Sequence, residues 1–405
     1  MDKKISILWI SLNAPTKKAD KAGGNTFNYY FSKFYNDERF DVKVIAQINN
    51  SLPLMELKEG DYFYLKREPG LKHKLKKLSS IESKYNPWNR NANLLSNQME
   101  TFVHDRINEL LSAGFKPEIV ILEWTQCVVL ARKIRKWLPE SRIVASEHDV
   151  TFIGYERKAE YYTGFKRAVW NQKAKHEKKV EVESLKACDL ILPQNSDNID
   201  ILRKDGVEGP EIQCLTPYFN SMVCCPRVPN GKDILFFGAM NREENYLTAQ
   251  WFIENVMPRL KDMDIRFIVL GGNPPQELKA LECDQIHITG FVDAIEPYFE
   301  SAVCFVAPLV LGAGIKVKIL EALSSGIPVL TNDIGIEGIP AKKNVEYIHC
   351  SSAEEYEKSI RNVFEHGEWA QQIGEKAKDF ISEQYSLEKS LNQYREWLLK
   401  AGEAK

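Results

Sequence analysis

The residues best suited to chemistry lie in one stretch, LGAGIKVKILEALSSGIPVL, at positions 311–330. Gly312 and Gly314 let a backbone loop approach a ligand without a Cβ in the way. A helical pattern begins near Lys316, and the first N–H groups of a helix favour a bound phosphate. Lys316 and Lys318 fall in the first turn, where a cation is unfavourable unless an anion is present. The stretch therefore predicts an anion site, and a diphosphate is the expected anion.

Glu321 follows three residues after Lys318, on the same face of the predicted helix. A carboxylate at this place can accept hydrogen bonds from a ribose diol while the lysines and the amides hold a diphosphate. Gly326 ends the helix in the position that glycine commonly takes. The alternative interpretation is a surface ion pair between Lys318 and Glu321, which would contribute only about 0.2–0.5 kcal/mol.

Around this stretch, short apolar runs alternate with amphipathic segments along the whole chain. Strands separated by segments of helix length indicate βαβ units and parallel sheets. About five strands in each half favour an α/β protein with two doubly wound domains. Asn245 is positioned to cap the helix at 246–260. The predicted strands are 5–10, 42–47, 119–122, 143–146 and 190–193, then 234–238, 266–271, 286–289, 303–307, 328–331 and 345–348, and the predicted helices include 25–35, 128–137, 173–187, 246–260, 294–301 and 316–325.

The domain boundary follows from composition. The segment LTPYFNSMVCCPRVPNGKD, at 215–233, is rich in Pro, Gly and Asn, and a new strand follows it. We therefore expect an N-terminal domain at 1–220, a C-terminal domain at 221–385 and a final helix within 386–405. The segment 58–92 breaks the alternation, because its lysines and arginines are interleaved with aromatic residues. It is either a solvated loop and helix or a basic insertion that contacts anionic lipid.

Composition excludes several classes of protein. A formal net charge of −2 and a pI of about 6.4 argue against a general nucleic-acid binder. The eight cysteines form no CxxC pair, so we expect a reducing compartment and no metal site. No apolar run is long enough to cross a bilayer. The sequence predicts a cytoplasmic protein, with peripheral contact at the inner face of an anionic membrane if the 58–92 segment binds lipid.

An ordered set of sequences resembles one enzyme family. ILFFGAMNREENYLTAQWFIENVMPRL, FIVLGGNPP, IHITGFVDAIEPYFESAVCFVAPL and GAGIKVKILEALSSGIPVL follow one another over 233–335. They resemble the C-terminal domain of GT-B glycosyltransferases of family 4, the retaining enzymes with a Glu-x7-Glu motif. AGGNTFNYYF, SEHDV and DLILPQNSDN give a thinner match in the N-terminal half.

The resemblance implies a GT-B fold, in which two Rossmann-like domains face a cleft and the last helix crosses back to the N-terminal domain. It implies that a sugar is transferred, with retention, from a nucleoside-diphosphate sugar carrying UDP or GDP. The expected acceptor is a glycan, a lipid-linked saccharide or a protein, and no metal or other cofactor is required. Bacterial surface-glycan assembly is the commonest use of the family, and the 58–92 segment favours a lipid-linked acceptor.

The resemblance and the residue chemistry together assign the site. The catalytic residues are His148, which follows the strand at 143–146 and faces the donor sugar, together with Lys316 and Glu321. The donor-binding residues are Arg242, Phe291, Val292, Gly314, Ile315, Val317 and Lys318, and the loop for acceptor or phosphate is Gly23, Gly24 and Asn25.

Some of these residues have structural alternatives. His148 is alternatively a structural or surface residue, as a lone histidine commonly is. The two glycines, Gly23 and Gly24, are alternatively a flexible connection before a helix. Phe291 and Val292 are alternatively core residues of the C-terminal domain.

Two departures from the family pattern bear on activity. The second Glu of the motif is Glu321, but the first would fall at Ala313, so recognition of the sugar must differ. A subgroup with a Gly-x-Gly-x-Lys-x-Lys pattern also lacks that Glu, and Lys316 and Lys318 match it. The family has an Arg and a Lys after the first C-terminal strand, and this sequence does not match them clearly. Arg242 is the only cation near their place.

Three rival functions follow from the same residues. A non-catalytic paralogue that binds a nucleotide or a glycan is motivated by Ala313, whereas Lys316, Lys318 and Glu321 argue against a decayed site. A sugar-nucleotide 2-epimerase would need acidic and histidine residues that the sequence does not place. A Rossmann dehydrogenase is disfavoured, since no GxGxxG motif follows an early strand.

Overall fold

The computed structural model describes residues 3–17, 22–48, 52–66 and 94–403, and it divides into two compact units. The N domain comprises Met1–Tyr218 together with Leu387–Lys405, and the C domain comprises Phe219–Ser386. Each domain holds one parallel sheet, which confirms the predicted α/β class with two doubly wound domains. Most of the 58–92 segment, from residue 67 onward, lies outside the described residues.

The N domain sheet has the strand order β3-β2-β1-β4-β5-β6-β7, and every neighbouring pair is parallel. Its strands are β1 (Ile5–Ser11), β2 (Phe40–Ile48), β3 (Tyr62–Lys66), β4 (Ile119–Glu123), β5 (Arg142–Glu147), β6 (Leu190–Pro193) and β7 (Glu211–Ile212). Its helices before the C domain are α1 (Ala22–Tyr35), α2 (Asn97–Ser112), α3 (Trp124–Val128), α4 (Ala131–Trp137), α5 (Thr151–Tyr161), α6 (Gly164–Leu185) and α7 (Asp197–Lys204).

The C domain sheet has the strand order β10-β9-β8-β11-β12-β13, again with parallel pairs. Its strands are β8 (Asp233–Phe237), β9 (Arg266–Leu270), β10 (Ile286–Gly290), β11 (Cys304–Ala307), β12 (Val329–Thr331) and β13 (Ile348–His349). Its helices are α8 (Glu243–Asn255), α9 (Gln276–Lys279), α10 (Glu296–Ser301), α11 (Val317–Ser325), α12 (Asp333–Ile336), α13 (Ala353–Glu365) and α14 (Gly367–Gln384), with a 3-10 turn at Met257–Arg259.

The strand orders place a crevice in each sheet. The strands are near-continuous apolar runs, such as IVILE in β4 and CFVA in β11, because both faces of a parallel sheet are covered. In the N domain the order reverses between β1 and β4, and in the C domain between β8 and β11. Connections from two such strands leave in opposite directions, so the carboxyl edge between them is open to a ligand.

The final helix, α15 (Leu387–Glu403), belongs to the N domain although it follows the C domain in sequence. The Tyr394 ring lies 4.9 Å from the Phe34 ring, with both side chains fully buried. The Tyr30 hydroxyl lies 2.8 Å from Ser390 Oγ and donates to the Thr216 carbonyl at 2.7 Å. Aromatic packing and buried hydrogen bonds therefore hold the end of the chain against α1.

Several predicted boundaries shift in the structure. Helix α1 begins at Ala22, so Gly23 and Gly24 lie in its first turn rather than in a loop before it. The predicted helix at 128–137 divides into α3 and α4, because the Leu130 N–H donates to the Cys127 carbonyl and tightens the turn. The last predicted strand, 345–348, is reduced to β13. Among the described residues, no helix has both the length and the apolar character needed to cross a bilayer.

Gly374 of α14 gives a test of the packing in the C domain. A Cβ at this position would lie 1.9 Å from the Gly326 carbonyl oxygen, at the left-handed end of α11. We expect Gly374→Ala to lower the free energy of unfolding by about 3 kcal/mol, since two backbones must separate. Urea unfolding of the full chain measures the loss.

Gly367 supplies the matched control at the start of the same helix. No atom lies within 4 Å of a Cβ built there, so Gly367→Ala should leave stability unchanged or slightly raised. If both substitutions destabilise the protein equally, the close contact with Gly326 is not the reason that position 374 requires a glycine.

Candidate active site

The loop between β11 and α11 has the backbone that its glycines predict. Gly312 lies at φ +125° and Gly314 at φ +69°, in the region where a Cβ is strained. Helix α11 begins at Val317, and Lys316 stands before it in extended conformation without a side-chain cap. The Ile319 N–H donates to the Lys316 carbonyl at 2.7 Å, so the amides of the preceding residues lie at the open end of the helix.

Lys316 is folded back beneath this loop. Its side chain is 9% exposed, and Nζ donates to the Gly314 carbonyl and to Glu337 Oε2, the latter at 3.0 Å. The ammonium group therefore stabilises the loop from within and is paired with a half-buried carboxylate. Its positive charge still lies within the loop that carries the open helix end.

Lys318 is the second cation, and it points toward the first strand of the C domain. Its Nζ donates to Asn245 Oδ1 and lies 5.0 Å from the centroid of the Phe236 ring. Burial lowers the Lys318 pKa to about 7, and the charge of Arg242 adds to this effect. The lysine is thus poised to gain a proton when an anion arrives.

Glu321 lies one turn further along α11 and is half-buried. Its Oε1 accepts a hydrogen bond from the Asn220 N–H at 3.2 Å. Burial raises the Glu321 pKa to about 7, whereas that N–H and the charge of Lys318 act in the opposite direction. The two side chains form no ion pair within the part of the chain that the structure describes, so the alternative of a surface pair is wrong.

Arg242 and Asn245 lie at the start of α8, and the cap prediction for Asn245 is wrong. Arg242 stands at the N-cap of α8 with a half-exposed guanidinium that pairs with Glu244. Asn245 is not the cap, because α8 begins two residues before it. Asn245 is 4% exposed and donates from Nδ2 to the Ala239 carbonyl at 2.8 Å, which fixes Oδ1 for Lys318. Sequence analysis missed this positioning role.

Gly238, at the end of β8, explains how Asn245 and Lys318 meet. A Cβ at Gly238 would lie 2.8 Å from Asn245 Nδ2 and 3.1 Å from Lys318 Nζ. The glycine therefore leaves room for both side chains at the carboxyl edge of the sheet. The signal available in the sequence was the glycine that directly follows a buried strand.

Phe291 and Val292 follow β10 at the same edge of the C domain sheet. Phe291 is 80% exposed, so its interpretation as a core residue is wrong. Its Cβ lies 3.5 Å from the position that a Cβ on Gly272 would take. Val292 is half-buried and packs against the hydrophobic core. An exposed ring next to Gly272 offers a flat surface at the ligand edge of the sheet.

In the N domain, His148 lies at the carboxyl end of β5 and is 6% exposed. Its Nε2 is 2.5 Å from Oε1 of Glu123, the last residue of β4. The Glu123 carboxylate also accepts hydrogen bonds from Trp9 Nε1 at 2.8 Å and from Ser146 Oγ at 3.0 Å. We assign the proton of the neutral ring to Nε2, because a carboxylate accepts from it. His148 Nδ1 then remains a hydrogen-bond acceptor.

Trp124 and Gly23 form the surroundings of that acceptor. Trp124 has φ +64°, a conformation that is strained for an aromatic residue and is often found at functional sites. Trp124 Nε1 and His148 Nδ1 each lie 3.3 Å from the position of a Cβ on Gly23. His148 Nδ1 is buried and has no hydrogen-bond partner among the described residues. Gly24 and Asn25 continue the first turn of α1.

Sequence analysis did not select Glu123 and Trp124, although it predicted a site role for His148, the residue that they surround. The available signal was a Glu-Trp pair directly after the buried run IVIL. In the residues that the structure describes, no group of three or more His, Cys, Asp or Glu side chains is arranged to hold a metal ion.

Comparison with known proteins finds a family match within the C domain. Residues 231–366 match the family model described as "Glycosyl transferases group 1". A stretch of 168 residues is 22% identical to an uncharacterized 44.6 kDa protein in the cps region of Klebsiella pneumoniae. That match covers 39% of this chain and 43% of the relative, so it spans less than half of the relative's length. Within the C domain, the chain is thus similar to the glycosyl transferases of group 1.

Solved structures identify the fold of the whole chain. Sucrose-phosphate synthase from Thermosynechococcus elongatus superposes with a TM-score of 0.71 at 12% identity, over 99% of this chain and 100% of that one. Anabaena Alr3699/HepE, in complex with UDP-glucose, superposes with a TM-score of 0.66 at 12% identity, over 98% and 100% of the two chains. The fold is GT-B.

Removal of the Glu123 carboxylate tests the network that orients His148. We expect Glu123→Ala to lower the free energy of unfolding by about 3 kcal/mol, since buried donors on Trp9, Ser146 and His148 lose their acceptor. Chemical unfolding monitored by circular dichroism measures the change.

Glu208 is an exposed glutamate in the same domain and serves as the control. Its substitution by Ala should change stability by less than about 0.5 kcal/mol. A Glu123→Ala variant as stable as Glu208→Ala would mean that the buried network contributes nothing to stability.

Proposed function

We propose that this protein is a retaining glycosyltransferase that moves a sugar from a nucleoside-diphosphate sugar to a glycan, lipid-linked or protein-linked acceptor. The observation that carries the proposal is the N-terminal end of α11, where Lys316 and Lys318 stand beside the first amides of the helix, within the segment that matches the glycosyl transferases of group 1. Such an end binds anions through its N–H groups and its dipole. The proposed anion is the diphosphate of the donor.

Transfer breaks the bond between the anomeric carbon and the diphosphate oxygen. The acceptor oxygen forms its bond to the same face of that carbon, and the acceptor proton passes to the departing diphosphate. Lys316, Lys318 and the amides from Gly314 to Val317 would stabilise the negative charge that develops on the leaving group. Preorganised donors of this kind commonly supply the largest part of catalysis. Arg242, exposed at the cap of α8, would neutralise the outer phosphate.

The remaining donor contacts follow from the same edge of the C domain sheet. Glu321 would accept hydrogen bonds from the ribose hydroxyls, which favour its ionised form. The exposed Phe291 ring, with Val292 beside it, would lie against the base. We propose UDP as the nucleotide, since HepE, which has a similar fold, has been solved in complex with UDP and with UDP-glucose. GDP is the alternative that the binding experiment below separates.

In the N domain, the proposed ligand is a sugar hydroxyl. Trp124 Nε1–H would donate to its oxygen, and His148 Nδ1 would accept its proton. Glu123 is a positioning residue in this proposal, because it holds the proton of His148 on Nε2 and leaves Nδ1 free to accept. Gly23 allows the hydroxyl to approach the first turn of α1, and Gly24 and Asn25 contribute amides there.

The acceptor class rests on the relative from the cps region, whose description places it among genes of a surface polysaccharide. We therefore propose a role in assembling a bacterial surface glycan, at the inner face of the membrane. The second candidate is a non-catalytic GT-B protein that binds a nucleotide or a glycan. Ala313, which stands where the family motif has its first Glu, favours that candidate.

Nucleotide binding is tested by thermal unfolding with UDP, GDP, ADP, TDP or CMP. We expect UDP to stabilise the protein, by about 2.7 kcal/mol at a concentration of 100 times the dissociation constant. Glu321→Ala should lose this stabilisation, whereas Glu383→Ala, an exposed site in the C domain, should keep it. Stabilisation by GDP and not by UDP would identify guanine as the base of the donor. If none of the five nucleotides stabilises the protein, the donor site is refuted.

Donor hydrolysis separates an enzyme from a binding protein. With the sugar donor of the base that binds, the wild type should release the diphosphate, and Lys316→Ala should slow release about 100- to 1,000-fold. NMR of the released or transferred sugar reports the anomeric configuration and so tests retention. Nucleotide binding without turnover of any sugar donor would support the non-catalytic candidate.

Proton uptake tests the state of Lys318. Its pKa is about 7 in the free protein, so most molecules carry a neutral amine at pH 8. A bound diphosphate raises that pKa, and UDP binding at pH 8 should take up about one proton. Affinity should therefore weaken as pH rises from 7 toward the pKa of the complex. Calorimetry in buffers of different ionisation enthalpy measures the uptake.

Lys318→Met removes the group that takes up the proton. The variant should bind UDP more weakly and with uptake close to zero at pH 8, whereas Lys376→Met, exposed on α14, should behave as the wild type. Undiminished uptake in Lys318→Met would assign the proton to another group.

A further inference from the structure

The tip of the hairpin formed by α5 and α6 exposes side chains that the candidate site does not use. Helix α5 ends at Tyr161, and α6 begins at Gly164, whose φ of +59° makes the turn. Phe165, the next residue, is 84% exposed, and Tyr161 is 43% exposed. An aromatic pair this exposed at a helix turn indicates a surface for interaction.

The same tip carries positive charge. Residues 161–175, YYTGFKRAVWNQKAK, include four cations and no acidic residue, in a chain with a formal net charge of −2. Lys166 and Arg167 follow Phe165 directly, and all three are exposed. Within the described residues neither cation forms an ion pair, so both charges remain available to an external anion.

Lysine stems and aromatic rings are packed together along the hairpin. Lys166 Nζ lies 5.0 Å from the Tyr162 ring. Lys158 and Lys173 lie 4.9 Å and 5.1 Å from the Trp170 ring. Such pairs place the ammonium groups over the faces of the aromatic rings. The tip has the composition of helices that lie in the interface of a bilayer.

The root of the hairpin is held in the core. Glu181 of α6 accepts hydrogen bonds from the N–H groups of Thr151 and Phe152, at 2.9 Å and 3.1 Å, which caps α5. Glu181 also bonds to Glu147, and burial raises the pKa of Glu147 to about 7 and that of Glu181 well above its usual range. These buried contacts hold one end of the hairpin in the core, while its other end is exposed.

We propose that residues 161–175 dock the N domain on an anionic lipid bilayer, with Phe165 inserted and with Lys166 and Arg167 on lipid phosphates. The proposal rests on the proposed function, in which the acceptor is made at a membrane surface. Anionic polymers would also attract the cations, but they offer no apolar environment to an exposed phenyl ring. A lipid surface satisfies both features.

The test is co-sedimentation of the full chain with vesicles. Vesicles of phosphatidylcholine alone should bind little, and an equal mixture with phosphatidylglycerol should bind the protein. The double variant Lys166→Gln, Arg167→Gln should partition about 30-fold more weakly, which corresponds to about 1 kcal/mol for each cation. Phe165→Ser should weaken partitioning about 10-fold.

A double variant on α4 provides the matched control. Arg132 and Lys136 are exposed in the same domain and form no ion pair among the described residues. Replacing both with Gln removes the same charge and should leave partitioning unchanged. Hydrogen exchange should slow at 161–170 when vesicles are added, which locates the contact on the hairpin.

Three outcomes would overturn the proposal. The first is wild-type partitioning in both hairpin variants, and the second is an equal loss in the α4 variant. The third is binding to dextran sulfate that Phe165→Ser does not weaken, without binding to vesicles, which would indicate an anionic polymer as partner. Stabilisation by UDP is measured without vesicles, so its failure would count against the proposed function alone.

Discussion

Burial of the Lys318 ammonium is the constraint on which the candidate site of the C domain depends. Water is largely excluded from this group, and Asn245 Oδ1 with the face of Phe236 replaces part of its hydration. That arrangement requires a glycine at the end of β8, since any Cβ at Gly238 would meet both polar side chains. The lowered pKa of Lys318 follows from the same burial. The position of Lys318 therefore depends on the end of β8, on Gly238 and on the Asn245 amide together.

The N domain uses the opposite arrangement. Its buried charge is the carboxylate of Glu123, and three donors from β1 and β5 already satisfy it. A buried carboxylate with all of its hydrogen bonds formed is held rigidly. Displacing any one donor would break a hydrogen bond that the buried surroundings cannot replace. The network therefore fixes the ring of His148 and leaves its unpaired nitrogen beside Gly23. In one domain a lysine can take up a proton when an anion binds, and in the other a carboxylate orients a histidine ring.

Sequence analysis could predict what depends on local pattern. The alternation of strands and helices, the glycine loop, and the position of Lys316 and Lys318 at the start of α11 can all be read within about twenty residues. It could not predict what depends on the register of distant segments. Glu123 meets Ser146 because β4 and β5 pair in that register. Asn245 and Lys318 are 73 positions apart. Local propensity favoured Asn245 as a helix cap, and tertiary contact decided otherwise.

The pairing of charges around α11 bears on the proposed donor site, which has no glutamate at position 313. Lys316 is paired with Glu337, Arg242 is paired with Glu244, and Lys318 is close to its pKa at neutral pH. Without a ligand the site is therefore nearly neutral, and the helix end supplies most of its attraction for anions. A diphosphate would draw a proton onto Lys318 and so create the charge that holds it. An additional carboxylate at position 313, within the loop that Lys316 supports, would compete with the diphosphate for the charge on Lys318. Its absence is consistent with a donor site in which the loop backbone and the lysines provide the recognition.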